Sequence, residues 1–133
     1  NESPQASIPG EIIPSDEFYS YRAKYIDNAS ELIIPAPIPP ETAEQARSLA
    51  IQAYTAVDCA GMARVDFLMD KDSYALYLNE INTIPGFTKI SMYPKLWEAS
   101  GLPYPALIDR LVQLAMERKE ENDKSERVFR RSR

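Results

Sequence analysis

The chain has 133 residues, 20 acidic and 15 basic side chains, a net charge of −5, no histidine and a single cysteine, Cys59. That length supports one domain with a real core and hardly two, and the acidic balance argues against general nucleic-acid or anionic-membrane binding. An internal disulfide, His-based acid–base chemistry and the usual zinc sites are excluded by composition, and the apolar runs fall far short of the ~18 residues of a membrane span.

The opening Asn1-Glu2-Ser3-Pro4-Gln5 carries no basic region or apolar run and does not read as a signal peptide. The chain does not start with Met, so a piece of a longer protein is expected. Gly10 to Ile13 reads as a short strand, Ser15-Asp16 as a turn and Glu17 to Tyr21 as a second strand. Arg22 to Ser30 is a polar loop containing Lys24 and Tyr25, of a length often used for lids. Leu32-Ile33-Ile34 is a third apolar run, stopped by Pro35, Pro37, Pro39 and Pro40.

The clearest helix follows. Thr42 and Gln45 form a capping-box pattern, and Ala46, Leu49, Ala50, Ala53, Tyr54 and Val57 recur as one buried face. Gly61 stands where such a helix would end. Met62 to Met69 and Tyr74 to Ile81 read as the two strands of a hairpin, with Asp70 to Ser73 as its turn. Pro85-Gly86 breaks the chain, and Tyr93 to Ser100 is a short helix closed by Gly101. Pro105 suits the first position of a final helix, whose apolar face is Leu107, Ile108, Leu111, Val112, Leu114 and Ala115. The whole predicts an α+β fold, an antiparallel sheet with packed helices.

Charge divides the chain at its end. Residues 1–117 carry 16 acidic and 8 basic side chains, whereas residues 118–133 carry 4 acidic and 7 basic ones. The charged tail is expected to extend the last helix and then fray, because Val128 and Phe129 are its only large apolar residues. Its interleaved acids weigh against a nucleic-acid-binding arm.

The hairpin carries the chemistry. Side chains alternate along a strand, so Arg64, Asp66 and Leu68 share one face, as do Leu78, Glu80 and Asn82 on the return. A loop from Lys71 to Ala75 sets Asp66 opposite Glu80 and Arg64 opposite Asn82. Two facing carboxylates repel unless a positive group lies between them. One answer is a hard divalent cation, which takes oxygen from Asp, Glu and Asn, with Arg64 stabilising charge that develops nearby. The other is a polar hairpin face with an Arg–Asp ion pair. Gly86, in the segment that follows, permits close backbone approach to a ligand, or marks an ordinary turn.

Ala63-Arg64-Val65-Asp66-Phe67, followed by Leu78-Asn79-Glu80-Ile81-Asn82-Thr83-Ile84-Pro85-Gly86-Phe87-Thr88, resembles the C-terminal signature of the D-alanine–D-alanine ligases of the ATP-grasp superfamily. Tyr21 to Tyr25 and Ser91 to Trp97 extend the resemblance over most of residues 10–115. It implies that residues 1–117 are a C-terminal ATP-grasp catalytic domain and that residues 118–133 lie outside it.

The resemblance implies roles residue by residue. Asp66, Glu80 and Asn82 match the ligands of two Mg²⁺ (or Mn²⁺) ions, with Glu80 bridging them. Arg64 and the Gly86 amide match the groups that stabilise the tetrahedral intermediate. Ser91 and Met92 match the site of the second D-alanine, Ser91 towards its carboxylate. Lys24, towards the nucleotide phosphates, and Tyr25 match a closing loop of the dipeptide-forming type. The depsipeptide-forming ligases use a His there, and this chain has none. The implied activity is ATP-dependent formation of D-alanyl-D-alanine through an acyl phosphate, a cytoplasmic step towards peptidoglycan. ATP and D-alanine are the implied small-molecule partners, with neither nucleic acid nor membrane, and a homodimer stays open. The N-terminal and central ligase domains are missing, so the chain alone is expected to be inactive. The alternatives are an ATP-grasp ligase with another amine or hydroxy-acid acceptor, and a non-catalytic Mg-nucleotide-binding module.

Overall fold

The computed structural model describes residues 1–14 and 31–125. The expected turn at Ser15-Asp16, the strand from Glu17 to Tyr21, the loop with Lys24 and Tyr25, and residues 126–133 lie outside the described residues. Within them the fold is α+β, antiparallel strands with packed helices, as expected; the strands form two separate pairs. Strands β1 (Glu11–Ile13) and β2 (Glu31–Ile33) pair antiparallel, with Ile12 opposite Leu32. Strands β3 (Arg64–Met69) and β4 (Leu76–Asn82) form the hairpin. Three helices accompany them: α1 (Pro40–Ala56), α2 (Met92–Ala99) and α3 (Tyr104–Asp123). Among the described residues, no helix is long and apolar enough to cross a membrane.

Helix α1 begins two residues before the expected cap. Pro40 occupies its first position, where a missing N–H costs nothing, and the Ala43 N–H donates to the Pro39 carbonyl (3.0 Å). Thr42 therefore lies inside the helix, 8% exposed, and no side chain caps the start. The far end also differs from expectation. Asp58 takes the left-handed position that ends the helix, at φ +54°, three residues before Gly61 at φ +76°; the Asp58 N–H reaches the Thr55 carbonyl, and the Cys59 N–H reaches that of Tyr54. These are the two bonds of a Schellman ending, which aspartate tolerates better than most residues. Val57, assigned to the buried face, is 57% exposed because it is already the C-cap. Helix α2 ends the same way, with Gly101 at φ +99° as expected.

An extended N-terminal segment ties the helices together. The Asn1 amide donates to the Leu114 carbonyl of α3 (2.9 Å), and its Oδ1 accepts from the Gly61 N–H (3.1 Å). Arg47 of α1 donates twice to the Ala6 carbonyl (3.2 and 3.1 Å), and the Ile8 N–H donates to Ser100 Oγ after α2 (3.0 Å). The buried core is Ala46, Met92, Tyr93 and Leu107, with Thr42 beside them. Helix α3 buries a narrower stripe than its sequence suggests. Leu107 is 2% exposed, but Ile108 and Val112 are open to solvent. The helix continues through Asp123, into the charged tail.

The hairpin has two compensating departures. The Asp70 N–H donates to the Ala75 carbonyl (2.9 Å), so the loop is Lys71 to Tyr74, one residue shorter than expected. Asp70 Oδ1 accepts from the Asp72 N–H (2.9 Å), the Ser73 N–H (2.8 Å) and the Ser73 hydroxyl (3.1 Å), which holds its carboxyl below the usual range. A bulge at Asn79 then restores the count. Phe67 pairs with Leu78 and Leu68 with Tyr77, whereas Asp66 pairs with Glu80 and Arg64 with Asn82. The bulge interrupts the alternation that would have put Leu78 on the face of Glu80.

Two stability tests follow. Leu107→Ala leaves a cavity in the most buried position and should cost about 2–5 kcal/mol, read as a lower urea midpoint. The Tyr93 phenol is pushed up to about 12, chiefly by burial, which outweighs a hydrogen bond from Trp97 acting the other way; Tyr54 adds a smaller upward push. Its raised value means that stability is complete below pH 10 and falls as pH climbs from about 10 towards 12. Urea midpoints of Tyr93→Phe across that range should lack this component of the fall.

Candidate functional site

The polar face predicted for the hairpin is present at its base, where the strands are half-buried rather than at the exposed tip. Arg64 grips Asp66 with two parallel bonds, Nε to Oδ1 at 2.8 Å and Nη2 to Oδ2 at 2.9 Å. Their side chains are only 11% and 17% exposed. Across the strands, the same Nη2 stands 3.7 Å from Glu80 Oε1. The Arg64 guanidinium thus reaches both carboxylates. The ion-pair reading of this face is correct as geometry. It does not displace the cation reading, because a carboxylate oxygen has two lone pairs and can serve more than one positive partner.

Asn82 stands opposite Arg64, and its Oδ1 accepts from the Ile84 N–H (3.1 Å), which turns the chain out of β4. Among the described residues, no three His, Cys, Asp or Glu side chains converge as a metal cage. The donors available are two carboxylates and one carboxamide. That set fits a hard cation which also takes water and substrate oxygens, as Mg²⁺ does, and not a soft metal.

The segment after β4 leads to the start of α2. A Cβ on Gly86 would lie 3.1 Å from Ser91 Oγ, so the glycine lets the turn close on that hydroxyl. Ser91 is the N-cap of α2, yet its side chain makes no bond to the helix. Its Oγ accepts from the Thr88 N–H (3.0 Å) and shares a hydrogen bond with Thr88 Oγ1 (2.8 Å). Met92, expected to line a ligand site, has its side chain in the core at 7% exposure. What Met92 offers at the helix start is a backbone N–H, one of the donors an α-helix leaves without an internal partner.

Two aromatic residues were not singled out from the sequence. The Phe87 ring lies between Tyr93 and Tyr104, with centroids 5.9 and 5.4 Å away. The Tyr104 hydroxyl donates to the Phe87 carbonyl (3.0 Å). A separation of 17 residues carries no local pattern, so no sequence signal announces this pairing.

Residues 1–113 match the family described as D-ala D-ala ligase C-terminus. The chain is similar to a D-alanine--D-alanine ligase of Thermoanaerobacter sp., 65% identical over 118 residues, covering 88% of this chain and 33% of that protein. Among solved structures, it resembles the D-alanine-D-alanine ligase from Coxiella burnetii, with TM-score 0.80 and 44% identity over 93% of this chain and 31% of that one. It also resembles a D-Ala:D-Ser ligase from Enterococcus faecalis, with TM-score 0.69 and 35% identity over 81% of this chain and 31% of that one. The chain spans about a third of the length of the relatives it matches.

Proposed function

The chain belongs to the D-ala D-ala ligase C-terminus family, and on that premise we propose that the whole protein joins two D-alanines into D-alanyl-D-alanine with conversion of ATP to ADP and phosphate. The observation that carries the reading is the hairpin base. There a bidentate Arg64–Asp66 pair faces Glu80 and Asn82, an oxygen-rich face beside a strong cation.

The first D-alanine's carboxylate oxygen attacks the terminal phosphorus of ATP, giving an acyl phosphate and ADP. The second D-alanine, its amine deprotonated, attacks the acyl carbon, and phosphate leaves from a tetrahedral intermediate. Both steps concentrate negative charge on oxygen. Asp66, Glu80 and Asn82 would hold two Mg²⁺ or Mn²⁺ ions, which would supply charge neutralisation on the phosphate oxygens. Arg64 and the Gly86 N–H are the donors for the intermediate's oxyanion. Ser91, together with the N–H of Met92 at the start of α2, would receive the second D-alanine's carboxylate, since a helix N-terminus favours an anion. Lys24 and Tyr25 would close over the nucleotide and substrate. No side-chain nucleophile is required, in keeping with one cysteine and no histidine.

In this reading residues 1–117 form the C-terminal catalytic domain and residues 118–133 a charged extension. The remaining two-thirds of the protein supplies the N-terminal and central domains, the other half of the ATP clamp and part of the first D-alanine site. The fragment alone would be inactive, and the whole enzyme would work in the cytoplasm on peptidoglycan precursors. A D-serine acceptor is the second reading, favoured by the fold likeness to the D-Ala:D-Ser ligase. The 65% identity to a D-alanine--D-alanine ligase supports D-alanine.

The test is product analysis with the full-length protein. With ATP, Mg²⁺, D-alanine and D-serine supplied together, D-alanyl-D-alanine should dominate; a dipeptide containing D-serine, or ADP without dipeptide, would overturn the assignment. Glu80→Ala should nearly abolish turnover even at saturating Mg²⁺, and Arg64→Ala should lower kcat by about 10²–10³ with little change in KM for ATP. For the loop, Lys24→Ala should raise KM for ATP more than Tyr25→Phe does, because an ammonium suits phosphate oxygens while Tyr25→Phe loses one hydrogen bond and keeps the ring. The reverse ranking would make Tyr25 the group that holds the loop shut.

A further inference from the structure

The segment from Asn82 to Ser91 is held by local bonds and from across the fold. The local ones include the Ile84 N–H on Asn82 Oδ1, the Thr88 N–H on Ser91 Oγ, the Thr88–Ser91 hydroxyl pair and the Ser91 N–H on the Thr88 carbonyl. From across the fold, the Tyr104 hydroxyl reaches the Phe87 carbonyl at 3.0 Å. The Thr88 N–H bond and the Tyr104 bond act on one peptide unit. Its carbonyl, from Phe87, accepts from Tyr104, and its N–H, from Thr88, donates to Ser91. A peptide unit is planar, so fixing both of its ends removes rotation of the whole plane.

The side chain of the same residue is also fixed. The Phe87 ring is tilted against Tyr104 at 5.4 Å and against the buried Tyr93 at 5.9 Å. Gly86 is the residue immediately before, and Ser91 accepts the bond from the far end of the plane. Tyr104 sits in the first turn of α3, anchored by Leu107 three residues on, the most buried residue of the core. The clamp therefore ties the turn to the rigid part of the domain.

We propose that Tyr104 is a positioning residue: its hydroxyl and ring fix the Phe87–Thr88 peptide, and through it aim the Gly86 N–H and the Ser91 hydroxyl at the reacting groups. Tyr104 touches no substrate in this scheme. The proposal rests on the roles given above to Gly86 and Ser91. Displacing such donors by a fraction of an ångström loses a large part of their effect on rate, and about 1 Å can cost 10².

The experiment compares the full-length protein with Tyr104→Phe, which keeps the ring and removes only the hydroxyl. Amide hydrogen exchange reads the clamp, and initial rates read its consequence. Exchange should accelerate over residues 86–91 while α1 and the remainder of α3 keep their protection. Ligation kcat should fall about 5–30-fold with KM for ATP unchanged. Combining Tyr104→Phe with Ser91→Ala should cost less than the product of the single effects, because the two side chains hold one peptide. Unaltered exchange at residues 86–91, or a loss of protection spread evenly over the domain, overturns the proposal. So does a fall in activity that appears only as a higher KM for ATP. A wild-type protein that forms no dipeptide would defeat the ligase reading separately, and the exchange comparison would still decide whether Tyr104 holds this turn.

Discussion

Asp66 and Glu80 face each other across an antiparallel pair, and the Arg64 guanidinium reaches both. Two like charges opposite each other oppose the strand pairing, and a cation beside them offsets that repulsion. The fork to Asp66 supplies two bonds of 2.8 and 2.9 Å, and the same side chain leans towards Glu80. The pair is too enclosed to be treated as a surface ion pair of negligible worth, since both side chains are less than a fifth exposed.

The rest of the fold makes that charge cluster rigid. Helix α1 packs on the hairpin, and α2 packs on α3. The first ten residues link the two halves with bonds to α1, to the end of α2 and to α3. Consequently the hairpin base and the turn leading into α2 are anchored through elements far apart in sequence. A polar site of this kind needs such anchoring, because its effect depends on donors already standing where charge will form.

Much of this was legible in the residues, for identifiable reasons. The Arg64–Asn82 and Asp66–Glu80 pairings match those expected from a five-residue loop only because the bulge at Asn79 offsets a loop one residue shorter, whereas Gly101 follows directly from helix-ending rules. The start of α1 was misplaced because Thr42 and Gln45 mimic a capping box, while the Pro39-Pro40 pair two residues earlier starts the helix without one. At the end of α1 both Asp58 and Gly61 are left-handed, but the helix-ending hydrogen bonds fall on Asp58, where glycine preference gives no signal. The clamp by Tyr104 had no local signature at all. Contacts across 17 residues depend on how α3 meets the turn, which periodicity does not encode.

The bulge at Asn79 has a consequence for how this hairpin can change over evolutionary time. It lies between the exposed tip and the charged base, and it already absorbs a loop one residue shorter than simple alternation would need. An insertion or deletion at the tip therefore meets a point of slack before it reaches Glu80. Regular strands would transmit a single-residue change all the way down and turn the carboxylate to the opposite surface. Here one extra residue at Asn79 is what keeps Glu80 turned towards Asp66 beneath a loop of four residues.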